Sequence, residues 1–282
     1  MIGYSSRVSI LIVPSMYVCP KCKGPLHDLH CERCDVRYPA DHGIPCFMAG
    51  GARSSDQALR DLYDDIYRQH TDVWVDQGRS GPFQEYFAEL VGSIPHEHVL
   101  EIGCGEGILL AALPGTHKYG IDPSAHALVR AQRRSNAHCA VARCEVLPFP
   151  AESFDVAVAV GVMEHFEMVD AATAEIERVL APSGHYIVLI QTDMTCSQRL
   201  AVKVREFLFP RFRPMALIKW LQKKLLHRIV QPLRKSYTLD SARDCLQHSG
   251  LKVTRVITRA TEPDAPLGGP HVVVLVARKQ PP

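Results

Sequence analysis

The sequence predicts an α/β protein with a doubly wound parallel sheet and a small metal-binding module in front of it. Three observations carry this prediction. From Leu100 onward apolar strands alternate with amphipathic helices, the first strand turns through spaced glycines into a helix, and two Cys-x-x-Cys pairs lie near the N-terminus. Alternating strands and helices are typical of parallel sheets, because a crossover between parallel strands needs a long connection. With 282 residues, of which 46% are hydrophobic and 22% charged, the chain can form one or two globular domains.

The paired cysteines predict a zinc ribbon over residues 16–50. The two pairs are separated by eight residues, and each pair forms a knuckle that directs two sulfur atoms at one ion. Four thiolates make the closed tetrahedral set of a structural zinc site, whereas a ribbon that folds without metal is the alternative. The predicted ligands are Cys19, Cys22, Cys31 and Cys34.

Composition predicts a cytoplasmic protein. The chain has ten cysteines, and their arrangement as two pairs with the rest scattered favours a metal and a reducing compartment over disulfides. No apolar run approaches the length of a membrane span, and the run at 9–13 is too short for the core of a signal peptide. We expect residues 1–15 to form a disordered extension. The net charge of +2 indicates no particular partner.

The segment from Val99 to Gly107 is the most informative about function. It reads as a buried strand that turns through Gly103, Gly105 and Gly107 into a helix. Glycine lets the backbone bend sharply and lets a ligand lie directly on it, and the start of the helix presents free N–H groups. The next strand ends in Asp122. Open α/β sheets hold the ribose of an adenosine cofactor with this arrangement.

Charge and spacing in the glycine loop favour S-adenosylmethionine over NAD. Glu101 precedes the loop and Glu106 lies within it, and we expect neither to have a basic partner nearby. These acids would repel a diphosphate but not a cofactor that carries an ammonium and a sulfonium. The Gly-x-Gly-x-Gly spacing also differs from the Gly-x-Gly-x-x-Gly pattern of dinucleotide sites. The alternative is a structural turn with solvated glutamates.

Further motifs follow the loop in a defined order. They are Glu145–Pro150, Ser153–Asp155, Gly161–His165 and Glu177–Gly184. With them, the chain resembles the class I S-adenosylmethionine-dependent methyltransferases over about residues 60–195 and in its last strands. The resemblance is to the type 11-like branch that acts on small molecules and lipids. It implies a Rossmann-like, seven-stranded doubly wound sheet with an antiparallel last strand, within a methyltransferase domain at 51–282.

The resemblance also implies roles for individual residues. The glycine loop would hold the methionine part of the cofactor, and Asp122 would accept the two ribose hydroxyls. Relatives have Asp-Ala-Glu where this chain has Arg143-Cys144-Glu145, so that Arg143 replaces the acid that meets the adenine amino group. The backbone near Cys144, or Glu145, is left to make that contact. The predicted cofactor-binding residues are Glu101, Gly103, Cys104, Gly105, Gly107, Asp122, Cys144 and Glu145.

His165 is the predicted catalytic residue. It follows the fourth strand, at the sheet edge where ligands of such folds bind. Its charge state changes near neutral pH, so it can act as a general base toward a hydroxyl or amine acceptor. The alternative is structural, since Glu-His is common at this point in the family. Tyr63 and Tyr67, on a helix predicted over 56–70, are candidates for a lid over the cofactor or for the core.

Two other segments bear on partners. The sequence around the cysteines, from Leu26 to Pro45, resembles the zinc-ribbon activators of methyltransferases and the ribbon of some rRNA guanine methyltransferases, which implies a scaffold or a substrate clamp. An insertion at 198–236 contains eleven Lys or Arg between Arg199 and Lys235, with one acid and an apolar helical stripe. A basic amphipathic helix suits peripheral contact with a membrane through 199–235. A cap over the active site and contact with RNA are the alternatives.

These features predict an enzyme that transfers a methyl group from S-adenosylmethionine to an oxygen or nitrogen of a small-molecule or lipid-like acceptor. The first alternative is an rRNA or tRNA base methyltransferase, which the ribbon and the basic segment favour. The second is a non-catalytic partner protein that binds the cofactor, which the departure at Arg143 leaves open.

Overall fold

The structure is a computed structural model of the full chain. It describes residues 16–48, 55–72, 81–193, 235–267 and 271–281. The predicted extension at 1–15 and nearly all of the predicted insertion at 198–236 lie outside the described residues.

The N-terminal module consists of two short antiparallel strand pairs. They are β1 (His30–Cys31) with β2 (Val36–Arg37), and β3 (Ala40–Asp41) with β4 (Ile44–Pro45). Buried side chains of the module, including Tyr17 and Phe47, belong to the same hydrophobic core as one face of the main sheet. The module therefore packs directly on the larger domain, and its predicted limits at 16 and 50 stay a prediction.

Seven strands form the main sheet. They are β5 (His98–Ile102), β6 (His117–Asp122), β7 (His138–Val141), β8 (Phe154–Val160), β9 (Leu180–Gln191), β10 (Leu251–Ile257) and β11 (Val272–Lys279). Their spatial order is β10-β11-β9-β8-β5-β6-β7, and β5 to β9 run parallel. The last strand, β11, is antiparallel to both of its neighbours. This topology confirms the predicted Rossmann-like sheet.

Helices cover both faces of the sheet. They are α1 (Ser55–Gln69), α2 (Pro82–Gly92), α3 (Ile108–Ala112), α4 (Ala125–Ser135), α5 (Val169–Val179) and α6 (Leu239–His248). Successive side chains of a strand point to opposite faces. Leu100 of β5 therefore enters the core shared with α5, α6 and the N-terminal module, whereas Val99 enters the core shared with α2, α3 and α4. Burial on both faces explains the continuous apolar runs of the central strands.

The order of the strands reverses beside β5. The chain passes from β5 outward to β6 and β7, and then returns to β8 on the other side of β5. At such a switch point the loops after the two neighbouring strands diverge and leave a crevice at the carboxyl edge of the sheet. In this chain those loops carry the glycine segment after β5 and the Glu-His segment after β8.

β9 begins at Leu180, six residues before its continuous apolar run starts at Tyr186. Leu180 already pairs with Phe154 of β8, and the register shifts between Phe154 and Val156. Ser183 has a positive φ of 66°, and a side chain on Gly184 would lie 2.9 Å from the carbonyl oxygen of Ala181. The segment from Leu180 to His185, which contains Pro182, Ser183 and Gly184, is thus an irregular start of the strand. No helix in the described part of the chain is both long and apolar enough to cross a bilayer.

Candidate functional site

A cavity of about 560 Å³ lies at the carboxyl edge of the sheet, over the switch point. Its walls come from the loops after β5, β6, β7 and β8, and α1 contributes a further wall. The predicted site residues that line it are Glu101, Gly103, Cys104, Asp122, Cys144, Glu145 and His165. The structure therefore brings most of the predicted residues together around one space.

Gly105 and Gly107 do not line the cavity, although the loop needs all three glycines. Gly103, Gly105 and Gly107 have φ values of 67°, 50° and 70°, a region that favours glycine. A Cβ on Gly103 would lie 2.6 Å from the Val162 side chain, and one on Gly107 would lie 2.7 Å from Cα of Ala131. Gly107 therefore permits close packing on α4, while Gly103 brings the loop against the segment after β8.

Asp122 lies buried at the end of β6 and is held by two backbone groups. Its Oδ2 accepts a hydrogen bond from the amide of Gly105 at 3.0 Å, and its Oδ1 accepts one from the amide of Ser124 at 2.9 Å. Burial is the main reason that its pKa is raised to about 7; these two hydrogen bonds oppose the shift and the nearby Asp64 adds to it. The carboxyl group is therefore fixed in position but incompletely ionised near neutral pH.

The expectation that both glutamates of the loop lack a basic partner is wrong for Glu106. Its Oε1 accepts a hydrogen bond from Nη1 of Arg130 on α4 at 2.7 Å, and the Glu106 side chain is fully buried. The two residues are 24 positions apart, so the pairing is not evident from the sequence. Glu106 is thus neutralised within the fold, and its charge does not argue against a diphosphate ligand.

Helix α1 forms the roof of the cavity. Both Tyr63 and Tyr67 line the cavity, and both also pack in a small cluster with Ala127 of α4. Burial and the nearby Asp122 carboxyl raise the pKa of Tyr63 well above its usual range, so its phenol keeps its proton. The two roles expected for these tyrosines, cofactor cover and core packing, are therefore compatible.

Polar contacts fix α1 to the domain near the glycine loop. Oδ1 of Asp64 accepts hydrogen bonds from Oγ of Ser124 at 2.6 Å and from the amide of His126 at 3.2 Å. Nη1 of Arg130 donates to the carbonyl oxygen of His70, just past the end of the helix, at 3.0 Å. The roof is thus connected to the same residues that hold Asp122 and Glu106.

Arg143 fixes the other end of α1. Its Nη1 lies 2.8 Å from Oδ1 of Asp56, and the guanidinium also contacts the carboxylates of Glu145 and Glu167. Burial opposes the charge, but the hydrogen bonds to Asp56 and Glu167 outweigh it and raise the pKa of Arg143 further above its usual value. The residue that departs from the family pattern is therefore fully engaged by neighbouring acids.

His165 follows β8 and lines the cavity, as the sequence indicates. It lies in a 3-10 turn over Met163–His165, and its amide donates to the carbonyl oxygen of Val162 at 2.8 Å. The preceding Glu164 is buried, and its Oε1 accepts from the amide of Gln191 at the end of β9. This contact fixes the turn that carries His165.

The four predicted zinc ligands lie together in the N-terminal module. Their sulfur atoms are all within 4.8 Å of one another, and Sγ of Cys22 and Cys31 are 3.5 Å apart. Burial opposes ionisation of Cys19, but hydrogen bonds from Tyr38 and from backbone amides lower the pKa of its thiol to about 6. Four converging sulfur atoms are a donor set that fits a tetrahedral zinc ion.

The module contacts the segment that follows β7, which the sequence did not indicate. The amide of Phe47 donates to the carbonyl oxygen of Val141 at 2.8 Å, and the amide of Val18 donates to that of Pro148 at 3.0 Å. Nζ of Lys23 donates to the carbonyl oxygen of Leu147 at 3.1 Å and to Oε2 of Glu175 at 2.8 Å. The N-terminal module therefore packs against the cavity wall that carries Arg143 to Glu145.

Comparisons with known proteins agree with this geometry. Residues 100–188 match the methyltransferase domain family. The chain is 30% identical to a ubiquinone biosynthesis O-methyltransferase of Rhodopseudomonas palustris, over 55% of this chain and 58% of that protein. It is 28% identical to a probable tRNA methyltransferase 9B of Bos taurus, over 49% of this chain and 30% of that protein. The chain thus spans less than two thirds of the length of either relative.

The fold has solved counterparts. The structure of an S-adenosylmethionine-dependent methyltransferase of Thermotoga maritima matches with a TM-score of 0.55 and 18% identity, over 78% of this chain and 99% of that one. At this identity the likeness concerns the fold alone.

Proposed function

Because this chain carries a methyltransferase domain of the class I S-adenosylmethionine-dependent type, we propose that it transfers a methyl group from this cofactor to an oxygen or nitrogen of a small-molecule or lipid-like acceptor. The observation that carries the proposal is the single cavity in which the glycine loop, Asp122 and His165 meet. Its volume of about 560 Å³ is within the range that ligand sites of proteins occupy.

The residues present fit the cofactor. The buried Asp122 carboxyl lines the cavity and is oriented by two backbone amides, so its remaining lone pairs are available to the two ribose hydroxyls. Gly103 lets the backbone approach the ligand closely at the methionine side. At the adenine side, Cys144 and Glu145 line the wall. When bound, S-adenosylmethionine supplies an electrophilic methyl group on its sulfonium.

The protein contributes mainly alignment. Methyl transfer is an in-line displacement, so holding the two reactants in one cavity supplies much of the rate increase. His165 is the proposed base that takes the proton from the acceptor hydroxyl or amine onto a ring nitrogen. The contact of Glu164 with the end of β9 keeps this turn in place.

The lining of the cavity supports an acceptor with apolar character. Its apolar members on α1, α2 and α3 and in the loop after β8 include Leu59, Leu62, Phe83, Ile108, Leu109, Val162 and Phe166. One of the relatives is named for an O-methylation step in ubiquinone biosynthesis, which is consistent with such an acceptor.

Peripheral membrane contact through residues 199–235 is part of the proposal. The segment lies almost wholly outside the described residues, so its basic amphipathic sequence is the support. A cytoplasmic protein that binds anionic vesicles would reach a lipid-like acceptor at the membrane surface. Deleting 211–235 is expected to abolish sedimentation with vesicles that contain an anionic lipid. Unchanged sedimentation would contradict this part of the proposal.

A second candidate is a tRNA or rRNA base methyltransferase. The match to a protein named as a tRNA methyltransferase favours it, together with the N-terminal cysteine module. RNA binding by this route would depend steeply on salt, because phosphate contacts release counterions.

One experiment separates the two candidates. Purified protein is incubated with methyl-labelled S-adenosylmethionine and, separately, with a metabolite and lipid extract or with total RNA. Label in the organic-soluble fraction supports the proposal, and label in RNA supports the second candidate. Absence of cofactor binding by calorimetry would contradict both.

We also propose that the four cysteines hold one structural zinc ion. Metal analysis of the reduced, intact protein is expected to find about one zinc per chain, as four thiolates bind one ion. Cys22→Ser and Cys34→Ser should each lose the metal, because a three-sulfur set binds it far more weakly. Cys245→Ser, a change outside the module, is the matched control and should leave the zinc content unchanged.

A further inference from the structure

Arg143 contacts three carboxylates that belong to three separate segments. Nη1 lies 2.8 Å from Oδ1 of Asp56, Nε lies 3.4 Å from Oε2 of Glu145, and Nη2 contacts Oε2 of Glu167. We call these four side chains the arginine cluster. The side chains of Arg143, Asp56 and Glu145 are only 13%, 20% and 5% exposed, so water screens the contacts among them little. Glu167 is 47% exposed, and its contact with Arg143 lies at the surface.

The three acids come from different walls of the cavity. Asp56 lies in the first turn of α1, which is the roof. Glu145 lies in the turn after β7, and its Oε1 also accepts from the amides of Glu167 and Met168 at 2.8 Å and 3.3 Å. Glu167 lies just before α5. The arginine cluster therefore joins the roof to the wall at the adenine end, and both sides of this junction line the cavity.

The junction depends on the guanidinium. A planar fork with five donors can serve several carboxylates at once, which an ammonium group does less well. Without Arg143, three acids would face one another in a partly buried space. Leaving such charges without a partner is strongly unfavourable, so the roof would move away from the wall.

We propose that Arg143 is a positioning residue that holds the start of α1 against the adenine end of the cavity and thereby slows the release of the bound cofactor. The proposal rests on the cofactor proposed above. Because the roof and the wall both line the cavity, release of the bound cofactor requires the roof to separate from the wall. Entry by the same route requires the same separation, so loss of the arginine cluster accelerates dissociation and does not slow association.

Release kinetics test the proposal. Full-length protein is loaded with radiolabelled S-adenosylmethionine and chased with excess S-adenosylhomocysteine, and association rates are measured in parallel. Arg143→Gln is expected to release the cofactor about tenfold faster than the wild type, with association no slower than in the wild type. Arg143→Lys keeps the charge but loses the fork, so its release rate should lie between those of the wild type and Arg143→Gln.

Asp56 supplies an independent test. Asp56→Asn weakens the contact between Arg143 and the roof and should also accelerate release. The double variant Arg143→Gln, Asp56→Asn should release the cofactor no faster than Arg143→Gln alone, because both changes break one interaction. Asp61→Asn is the matched control: Asp61 is an exposed aspartate on the same helix that accepts a hydrogen bond from Gln57.

The possible outcomes distinguish a failure of this proposal from a failure of the proposed function. An unchanged release rate in Asp56→Asn, slower association in Asp56→Asn, or the same acceleration of release in Asp61→Asn would each overturn the proposal. Asp56→Asn and Arg143→Lys decide the question if Arg143→Gln does not fold. A wild-type protein that binds no cofactor would contradict the proposed function itself, which is a different result from normal binding with unaltered release.

Discussion

The two ends of the cavity are built in different ways. At the glycine-loop end, the main contacts are local: Gly105 and Ser124 donate backbone hydrogen bonds to Asp122 across at most 17 residues. At the other end, which the proposed function assigns to the adenine and which we call the adenine end, Arg143 pairs with Asp56 across 87 residues, and Lys23 contacts the carbonyl oxygen of Leu147 across 124 residues. One end is thus a backbone motif, and the other is an assembly of side chains from the roof, the wall and the N-terminal module.

This difference in construction determines which substitutions each end of the cavity tolerates. A backbone motif fails when a side chain is added to a glycine or when its one carboxyl is removed. An assembly of side chains tolerates a change of residue type when its partners change too. Arg143 stands where the resemblance implies an acid, and here Asp56, Glu145 and Glu167 surround it.

Removing the Asp122 carboxyl should have the largest effect. Asp122→Ala leaves the buried amides of Gly105 and Ser124 without their acceptor and removes the proposed ribose contact. Each hydrogen bond to a charged group contributes about 1.5–3 kcal/mol, so cofactor affinity should fall by at least about a hundredfold. Calorimetry measures the dissociation constant, and Asp61→Ala on the exposed face of α1 is the control. Affinity within a few-fold of the wild type would show that the glycine-loop end does not bind the cofactor as proposed.

Adding a methyl group to Gly103 should have the next largest effect. The φ of 67° and the 2.6 Å approach to Val162 together make Gly103→Ala costly, by about 2–4 kcal/mol in the free energy of unfolding. Denaturant unfolding measures this change. The double variant Gly103→Ala, Val162→Ala should recover part of the loss because it removes the clash. Full recovery would mean that the positive φ carries no strain, and no recovery would mean that Val162 is not the obstacle.

Cofactor affinity should depend on pH through Asp122. The folded carboxyl has a pKa of about 7, and hydroxyl donors favour its ionised form. Binding should therefore release protons and strengthen as pH rises toward about 7, then level off. Calorimetry in two buffers with different ionisation enthalpies measures the protons released. Asp122→Asn should flatten the profile, whereas a pH dependence that survives in Asp122→Asn would assign the titration to another group.

The Asp122 carboxyl also makes the stability of the protein depend on pH, but stability falls with rising pH whereas cofactor affinity rises. Its folded pKa is raised above its ordinary value of 3.8, so the folded protein holds an extra proton between about pH 4 and pH 7. Its contribution to the free energy of unfolding therefore falls as pH rises through this window. The difference between the wild type and Asp122→Asn in urea unfolding at pH 5 and pH 7.5 isolates this contribution.

The smallest expected effect is at the back of the adenine end. Lys23→Ala removes the contacts with Glu175 and with the carbonyl oxygen of Leu147. Because Lys23 is 31% exposed, solvent screens the ion pair, and a loss of about 1 kcal/mol in stability is expected. Lys21→Ala, an exposed lysine in the same knuckle, should leave the unfolding midpoint unchanged. Equal midpoints for both variants would show that the module does not support this wall.

Prediction from the sequence succeeded where structure is local. The turn at Gly103 to Gly107, the carboxylate at the end of β6 and the cysteine spacing are each contained within a short segment. Alternation of strands and helices indicated the parallel sheet for the same reason. The meeting of the glycine loop, Asp122 and His165 at one cavity follows, because the carboxyl ends of parallel strands lie at one edge of the sheet.

Prediction failed where contacts join distant segments. The partner of Glu106 is Arg130 on α4. The two residues are 24 positions apart, so no local sequence pattern indicates the pair. The partners of Arg143 were also missed, although the acids on α1 are visible in the sequence. Pairing of this kind depends on where helices pack, and a sequence alone carries no signal for it.

The sequence by itself determined the sheet, the glycine loop, Asp122 and the cysteine set, since backbone geometry and metal-ligand spacing follow from neighbouring residues. Only the tertiary structure decided how charge is distributed around the cavity. It neutralised Glu106 with Arg130, surrounded Arg143 with three acids and placed the N-terminal module behind the adenine end. The physical reason is that electrostatic interactions depend on separation in space, which packing sets independently of separation along the chain.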